Sequence, residues 1–309
     1  MEESNKNIES PSSLEEYQEV HIKDLFKTIW LEKKIILLST CIFAVFALIF
    51  SLSLQNYYKS ESVLSARDQS NTLNQYSQYS GLASLAGISI PRSTDNKANE
   101  AIEMIRSREF IKHLLVFEEV LPSIMAAEDY DHLTGTIIFN SEIYNKEKNL
   151  WISENQINSE PSYLEVYEVY LGMLSISQDS QTGFIRIGVE HISPVFAKKF
   201  LDLIVQEANS LMRKKGLLES EKALEYLKNE LSNTTLAGIK ESINSLIQVQ
   251  LKTQMIANLN EEYVLIPIEP PFIPEIKSRP ARSVICILGT LLGFMFGILI
   301  TLVRNYFKP

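Results

Sequence analysis

Two apolar stretches interrupt an otherwise mixed chain. Residues 35–54, "IILLSTCIFAVFALIFSLSL", hold no charge, proline or glycine, and residues 284–303, "VICILGTLLGFMFGILITLV", are equally free of charge. Twenty helical residues rise about 30 Å at ~1.5 Å each, which is the thickness of a bilayer's hydrocarbon core. A soluble core helix is rarely apolar on every face for that length. The pattern predicts two transmembrane helices, at 35–54 and 284–303. A cleaved signal peptide is the rival reading of the first. Against it stand the 34 hydrophilic residues ahead of the run, its length, and the lack of a small-residue cleavage site after it.

Elsewhere the spacing is that of ordinary elements. Ile22, Leu25, Phe26, Ile29 and Trp30 fall on one helical stripe, so an amphipathic helix precedes the first span. Trp30 serves there as interfacial anchor, with Lys33 and Lys34 beside it. "YYKSESVLSA" (57–66) reads as a strand leading away from the bilayer. Residues 67–97 read mostly as loop around a small-residue island, Gly81, Leu82, Ala83, Ser84, Leu85, Ala86 and Gly87. Helical spacing resumes at Lys97 and runs to about 118, with Ile102, Ile105, Phe110, Leu114 and Val116 as its buried face. Residues 119–160 show no clear pattern. Pro161 is placed to open a helix at "PSYLEVYEVYLGML", and "LSISQDSQTGFIRIGVEH" suits a β-hairpin.

The longest regular pattern follows. Ser193 is a good N-cap and Pro194 a good first residue, and no proline recurs before Leu231. Ile204, Leu211 and Leu218 repeat at seven-residue spacing, a seam that calls for a partner helix. Residues 237–259 are long enough to supply one by running back, and "EEYVLIPIEP" then gives a last strand. The expected class is α+β (mixed α/β), with a long protruding helical hairpin, on two membrane helices.

Charge sets the expected topology. Lys23, Lys27, Lys33 and Lys34 precede the first span, while Lys59 and Arg67 are the near cations after it. That bias puts the N-terminus in the cytoplasm. Residues 1–34 then form a cytoplasmic tail, 55–283 an external domain, and 304–309 a short cytoplasmic end. The net charge of −9 leaves no basic footprint for nucleic acid. The tail "MEESNKNIESPSSLEEYQEV" holds much of the acid and reads as disordered. Cys41 and Cys286 both lie in the predicted spans, so burial, not a disulfide framework, must stabilise the external domain.

Chemical motifs are sparse. His21, His113, His132 and His191 are isolated, without metal-ligand spacing, and His191 is expected to be structural. Glu128, Asp129 and Asp131 fit no complete calcium loop and read as a solvated loop. There is no phosphate-binding G-x-x-x-x-G-K-[ST] and no G-x-S-x-G elbow. The reading is therefore no enzyme, no metal and no cofactor. Packing features remain. Gly289, Gly293 and Gly297 line one face of the second span and invite close approach of another membrane helix. Just ahead of it, "PIEPPFIPEIKSRPARS" holds Pro267, Pro270, Pro271, Pro274 and Pro280, five of eleven prolines, in a segment (267–280) expected to be extended and stiff.

Together, "IKDLFKTIWLEKK", "GLASLAGI", the helix from Pro194, and the proline segment running into "LGTLLGFMFG" resemble the Wzz-type polysaccharide co-polymerases, the chain-length determinants of bacterial surface polysaccharides. The resemblance covers almost the whole chain. It implies a two-pass inner-membrane protein with a periplasmic domain and both termini cytoplasmic. It further implies a ring-like homo-oligomer that acts with a Wzy-type polymerase to set O-antigen or related polymer length, with polysaccharide itself a candidate ligand. Some relatives carry a tyrosine-kinase domain, and this sequence has no phosphate-binding loop to match it. The alternative reading is a two-helix periplasmic sensor or scaffold that signals through a separate partner.

Overall fold

The computed structural model describes residues 30, 32–67, 94–153, 156–157 and 160–307. The amphipathic stripe before Trp30 and the island Gly81–Gly87 lie outside the described residues. In chain order the elements begin with α1 (Lys33–Ser53), β1 (Tyr57–Ala66), α2 (Thr94–Ile105), α3 (Arg108–Leu114) and α4 (Val120–Met125). Five short strands follow: β2 (Ala127–Asp131), β3 (Thr136–Phe139), β4 (Tyr144–Asn145), β5 (Leu150–Ser153) and β6 (Gln156–Ile157). Then come α5 (Tyr163–Met173), β7 (Leu174–Gln178), β8 (Ile185–His191), α6 (Pro194–Asn233) and α7 (Ala237–Leu259). The chain closes with β9 (Leu265–Glu269), β10 (Lys277–Arg279) and α8 (Arg282–Tyr306). Two compact units result, Met1–Leu54 with Ala281–Pro309, and Gln55–Pro280.

The first unit pairs α1 with α8, two helices long and apolar enough to cross a membrane. Large side chains such as Leu37, Phe46, Ile49, Leu291 and Leu292 are exposed on their outer faces. In water that surface would be strongly unfavourable, while in lipid it matches the solvent.

The second unit is a mixed α/β domain around an antiparallel sheet in the order β10-β1-β8-β7, with β9 also on β1. β1 alternates, burying Tyr58, Ser60, Ser62 and Leu64, as a half-covered strand should. It pairs with β8 from Tyr58↔His191 to Leu64↔Ile185. Its other edge is shared: β9 pairs with Val63–Ala66, and β10 with Tyr57 and Tyr58. The core joins Leu64, Ile185, Ile187 and Val189 of the sheet to Phe196, Phe200, Leu201 and Ile204 of α6, with Phe110, Ile111 and Tyr170 packed against them. Tyr170 buries its ring but donates its hydroxyl to Ile105 O at 2.8 Å, which offsets the cost of dehydrating that group.

α6 begins as its sequence dictates, with Ser193 Oγ accepting from Phe196 N at 3.2 Å and Pro194 in the first turn. It runs out with α7 as an antiparallel hairpin, closed by Leu227 against Ile243 and Leu246 and by the Ser220 hydroxyl donating to Gln250 O at 2.9 Å. The expected seam changes character along α6. Ile204 is buried in the core, Leu211 is half-buried, and Leu218 is exposed. A seven-residue repeat drifts about 20° per repeat on a 3.6-residue helix, so Ser220, Leu224 and Leu227 take over the face toward α7.

Three local expectations need correction. The single helix from Lys97 to about 118 is two, because Ser107 caps a new start by accepting from Phe110 N. Val116 is 78% exposed, not buried, since α3 ends at Leu114 and the chain turns there. Pro161 precedes its helix and is not its first residue. Ser162 is the N-cap, in a capping box with Glu165, where each side chain accepts from the other's backbone N–H.

Candidate functional site

Within the membrane pair, the glycine face is met by α1 of the same chain. A methyl group on Gly293 would lie 2.5 Å from Phe43 Cβ, and one on Gly297 would lie 2.9 Å from Ile36 Cα. At Gly289 the obstructing group is Ala47 Cβ. The seam on α1 is therefore Ile36, Ser39, Phe43 and Ala47, running antiparallel to Gly297, Gly293 and Gly289. Only glycine lets the backbones come this near. The approach brings Ser39 Oγ within 3.0 Å of Gly293 O, to which it donates a hydrogen bond between the two helices. Phe43 also contacts Phe296, with ring centroids 5.6 Å apart. At the start of α1, Lys33 Nζ lies 5.4 Å from the centre of the exposed Trp30 ring, and Lys34 is exposed beside them.

The proline segment is the outer edge of the sheet, not a free connection. Pro267 lies in β9 opposite Leu64, and Pro280 follows β10. At the end of β9 and just beyond it the segment is sewn to β1 by hydroxyls: Ser62 Oγ donates to Glu269 O and Ser60 Oγ to Phe272 O, each at 2.7 Å. Farther along, Ser278 Oγ donates to Tyr57 O at 3.1 Å. Pro270 is exposed, whereas Pro271 and Pro274 are buried. A proline has no N–H to give a ladder, so serine side chains supply the donors that backbone would. An edge so built offers little to a foreign strand. Ser60 and Ser62, small polar residues inward on a strand, make the edge contacts that sequence periodicity missed. Their signal was the serine at two successive inward positions.

Two other polar clasps hold the unit. Asn209, buried on α6, grips the start of β9 through Val264 and Leu265. His191 sits behind Ser123 and Ser193, which line a cleft of about 450 Å³ with Glu118, Phe139, Tyr144 and Lys146. Its Nε2 donates to Ser123 O at 2.9 Å, and its Nδ1 accepts from Ser193 N at 3.0 Å. Burial pushes its pKa down to about 4. A neutral imidazole with both nitrogens engaged fastens chain segments; it is not poised to move a substrate proton. His113 instead contacts Glu207 at 2.7 Å, and His132 approaches the Tyr58 hydroxyl at 3.2 Å. Asp131 accepts from Leu133 N and Thr134 Oγ1 within its own turn, and those bonds lower its pKa. Among the described residues no group of three or more His, Cys, Asp or Glu side chains is arranged to hold a metal.

Comparison with known proteins bears on the first third of the chain. A solved structure of a full-length bacterial polysaccharide co-polymerase is 15% identical, with a TM-score of 0.38, over 92% of this chain and 97% of that one. No curated protein matches the chain. Residues 18–116 match the Wzz family, described as chain length determinant protein. That match takes in the residues before the first span, α1, β1, α2 and α3. Through residues 18–116 the chain is accordingly similar to the chain length determinant family that its motifs resembled.

Proposed function

We propose that this protein regulates, without catalysing a bond change, the chain length of a surface polysaccharide such as O-antigen. It acts as a homo-oligomer beside a Wzy-type polymerase in the bacterial inner membrane. The observation that carries the reading is the chain length determinant match across residues 18–116, which includes the first membrane helix and the first strand. The second apolar helix supports a two-pass protein, with residues 55–283 periplasmic and both termini cytoplasmic. In this reading Trp30, Lys33 and Lys34 anchor the first span at the cytoplasmic face. The Gly289–Gly293–Gly297 seam fixes the membrane pair, and the proline edge at 267–280 couples it to the periplasmic domain.

Deleting the gene and resolving the surface polysaccharide on a gel tests this function. The expected outcome is loss of a modal length with polymer still made. An unchanged ladder overturns it. Copurification of the polymerase from membranes tests the partnership separately.

A further inference from the structure

The cleft in front of His191 holds about 450 Å³, within the size range of small-molecule sites, and every residue lining it lies beyond the family match at 18–116. Its walls are locked. His191 joins Ser123 O on α4 to Ser193 N ahead of α6, so those two sides cannot part without breaking buried bonds. On the far side Tyr144 packs against Phe139 and the buried Trp151, with ring centroids 5.5 and 4.9 Å away. The Tyr144 hydroxyl donates to Asn149 Oδ1 at 2.6 Å, which fixes the turn that carries Lys146. A cavity formed in advance spares a ligand the cost of ordering it.

The rim, by contrast, is unspent. Glu118, Glu119 and Lys199 are exposed, and among the described residues none of them forms an ion pair or a side-chain hydrogen bond. Lys146 is exposed too, with its Nζ 5.4 Å from the centre of the Phe139 ring. Two carboxylates and two ammonium groups thus border one concavity.

That lining selects a chemistry. A phosphate or sulfate would face both carboxylates, and Phe196 N, a first-turn donor of α6, is already bonded to Ser193 Oγ. A cation would face both lysines. A wholly apolar ligand would strip water from the charged rim and give nothing back. An uncharged molecule with hydroxyls on its edge and C–H groups on its face meets every requirement. Carboxylates accept from hydroxyls, ammonium groups donate to them, and Pro122, Phe139 and Val195 receive the C–H face. A pyranose ring has this character.

We propose that the cleft binds a short stretch of an uncharged saccharide. The inference rests on the function proposed above for the identity of the sugar, a segment of the regulated polymer, and it names where on the chain that polymer is held.

Saturation-transfer NMR and calorimetric titration of the full-length protein in detergent test it. The probe is oligosaccharide released from the strain's own surface polysaccharide, with inorganic pyrophosphate and trialanine as controls. Of the three, the oligosaccharide alone should bind. Glu118→Ala combined with Glu119→Ala should raise its Kd about tenfold through the loss of charge-assisted hydrogen bonds. Lys146→Ala combined with Lys199→Ala should do the same. All four side chains are exposed, so both variants should keep the parent's near-ultraviolet spectrum. Binding that neither pair alters would put the sugar elsewhere and overturn the proposal. Binding of pyrophosphate or trialanine alone, or of no probe, would overturn it as well. Loss of the modal length on gene deletion, with no sugar bound, would strike the cleft and keep the function. An unchanged ladder, with sugar bound and weakened by both pairs, would strike the function and keep the cleft.

Discussion

Asn209 and Leu265 bind each other in both directions. The Asn209 amide nitrogen donates to Leu265 O at 2.8 Å, and its oxygen accepts from Leu265 N at 2.9 Å. Val264 N adds a second bond to the same oxygen at 2.9 Å. A side chain on the long helix thus behaves as a short strand partner for β9, and it does so fully buried. Asn209→Leu would keep the volume and leave two N–H groups and one carbonyl without partners, each costing about 1–3 kcal/mol. The variant should lose at least ~3 kcal/mol of stability in denaturant titration of the full-length protein. An unchanged midpoint would show that water replaces the clasp.

His191 gives stability a defined pH dependence. Its pKa falls from 6.5 to about 4 on folding because burial disfavours the charged ring. The folded state then binds fewer protons than the unfolded one between those values, so stability is fully present above pH 6.5. It is lost as pH falls toward 4, by up to ~3 kcal/mol for a shift of this size. Glutamine can donate to Ser123 O and accept from Ser193 N but does not titrate. His191→Gln should therefore flatten the difference in unfolding midpoint between pH 7.5 and pH 5. Equal pH dependence in both proteins would assign it to other groups.

Two glycines in helices should respond to alanine with opposite signs. Gly172 in α5 has open space where a methyl would go, so Gly172→Ala should stabilise by about 0.5–1 kcal/mol through helix propensity. Gly216 lies inside α6, where a methyl would come 2.5 Å from the hydroxyl oxygen of the buried Tyr263. That hydroxyl also accepts from Lys97 Nζ at 3.2 Å. Gly216→Ala should destabilise despite its better propensity. Paired thermal melts would decide, and a stabilised Gly216→Ala would mean that Tyr263 moves freely.

Periodicity made the regular parts of the fold legible. The apolar runs, the capped start at Ser193 and the returning helix after "SNTTLAG" each have a local physical cause that one sequence displays. The proline segment was legible as extended, but not as a sheet edge. The donors that hold it, Ser60 and Ser62, sit on a strand about two hundred residues earlier in the chain, and nothing local links them to carbonyls at 269 and 272. Asn209 was hidden for the same reason. The glycine face was visible, yet its partner was not, because small residues announce close approach without naming which helix approaches.

Pro270 and Pro271 test the coupling assigned to the proline edge. Pro271 is buried and Pro270 exposed, and neither carries a backbone N–H. Replacing both with alanine restores two donors and frees two φ angles beside the Ser62 and Ser60 contacts. The folded domain should keep its far-ultraviolet spectrum, since the core residues are untouched. Polymer length should lose its mode if the segment must be stiff. A normal length distribution would show that the serine bonds alone are enough.

Gly293→Leu probes the membrane pair. Gly293 sits opposite Phe43, and Ser39 Oγ reaches its carbonyl. A leucine side chain must displace both, forcing α1 and α8 apart along the seam or rotating one against the other. The second unit, Gln55–Pro280, folds around its own core and should retain its near-ultraviolet aromatic signal. Thermal melts of the full-length protein in detergent, followed in the far ultraviolet, should show an earlier loss of helix in Gly293→Leu than in the parent protein. Polymer chain length should shift in the same variant. If the melt falls while length stays normal, the glycine seam stabilises the pair without taking part in length control.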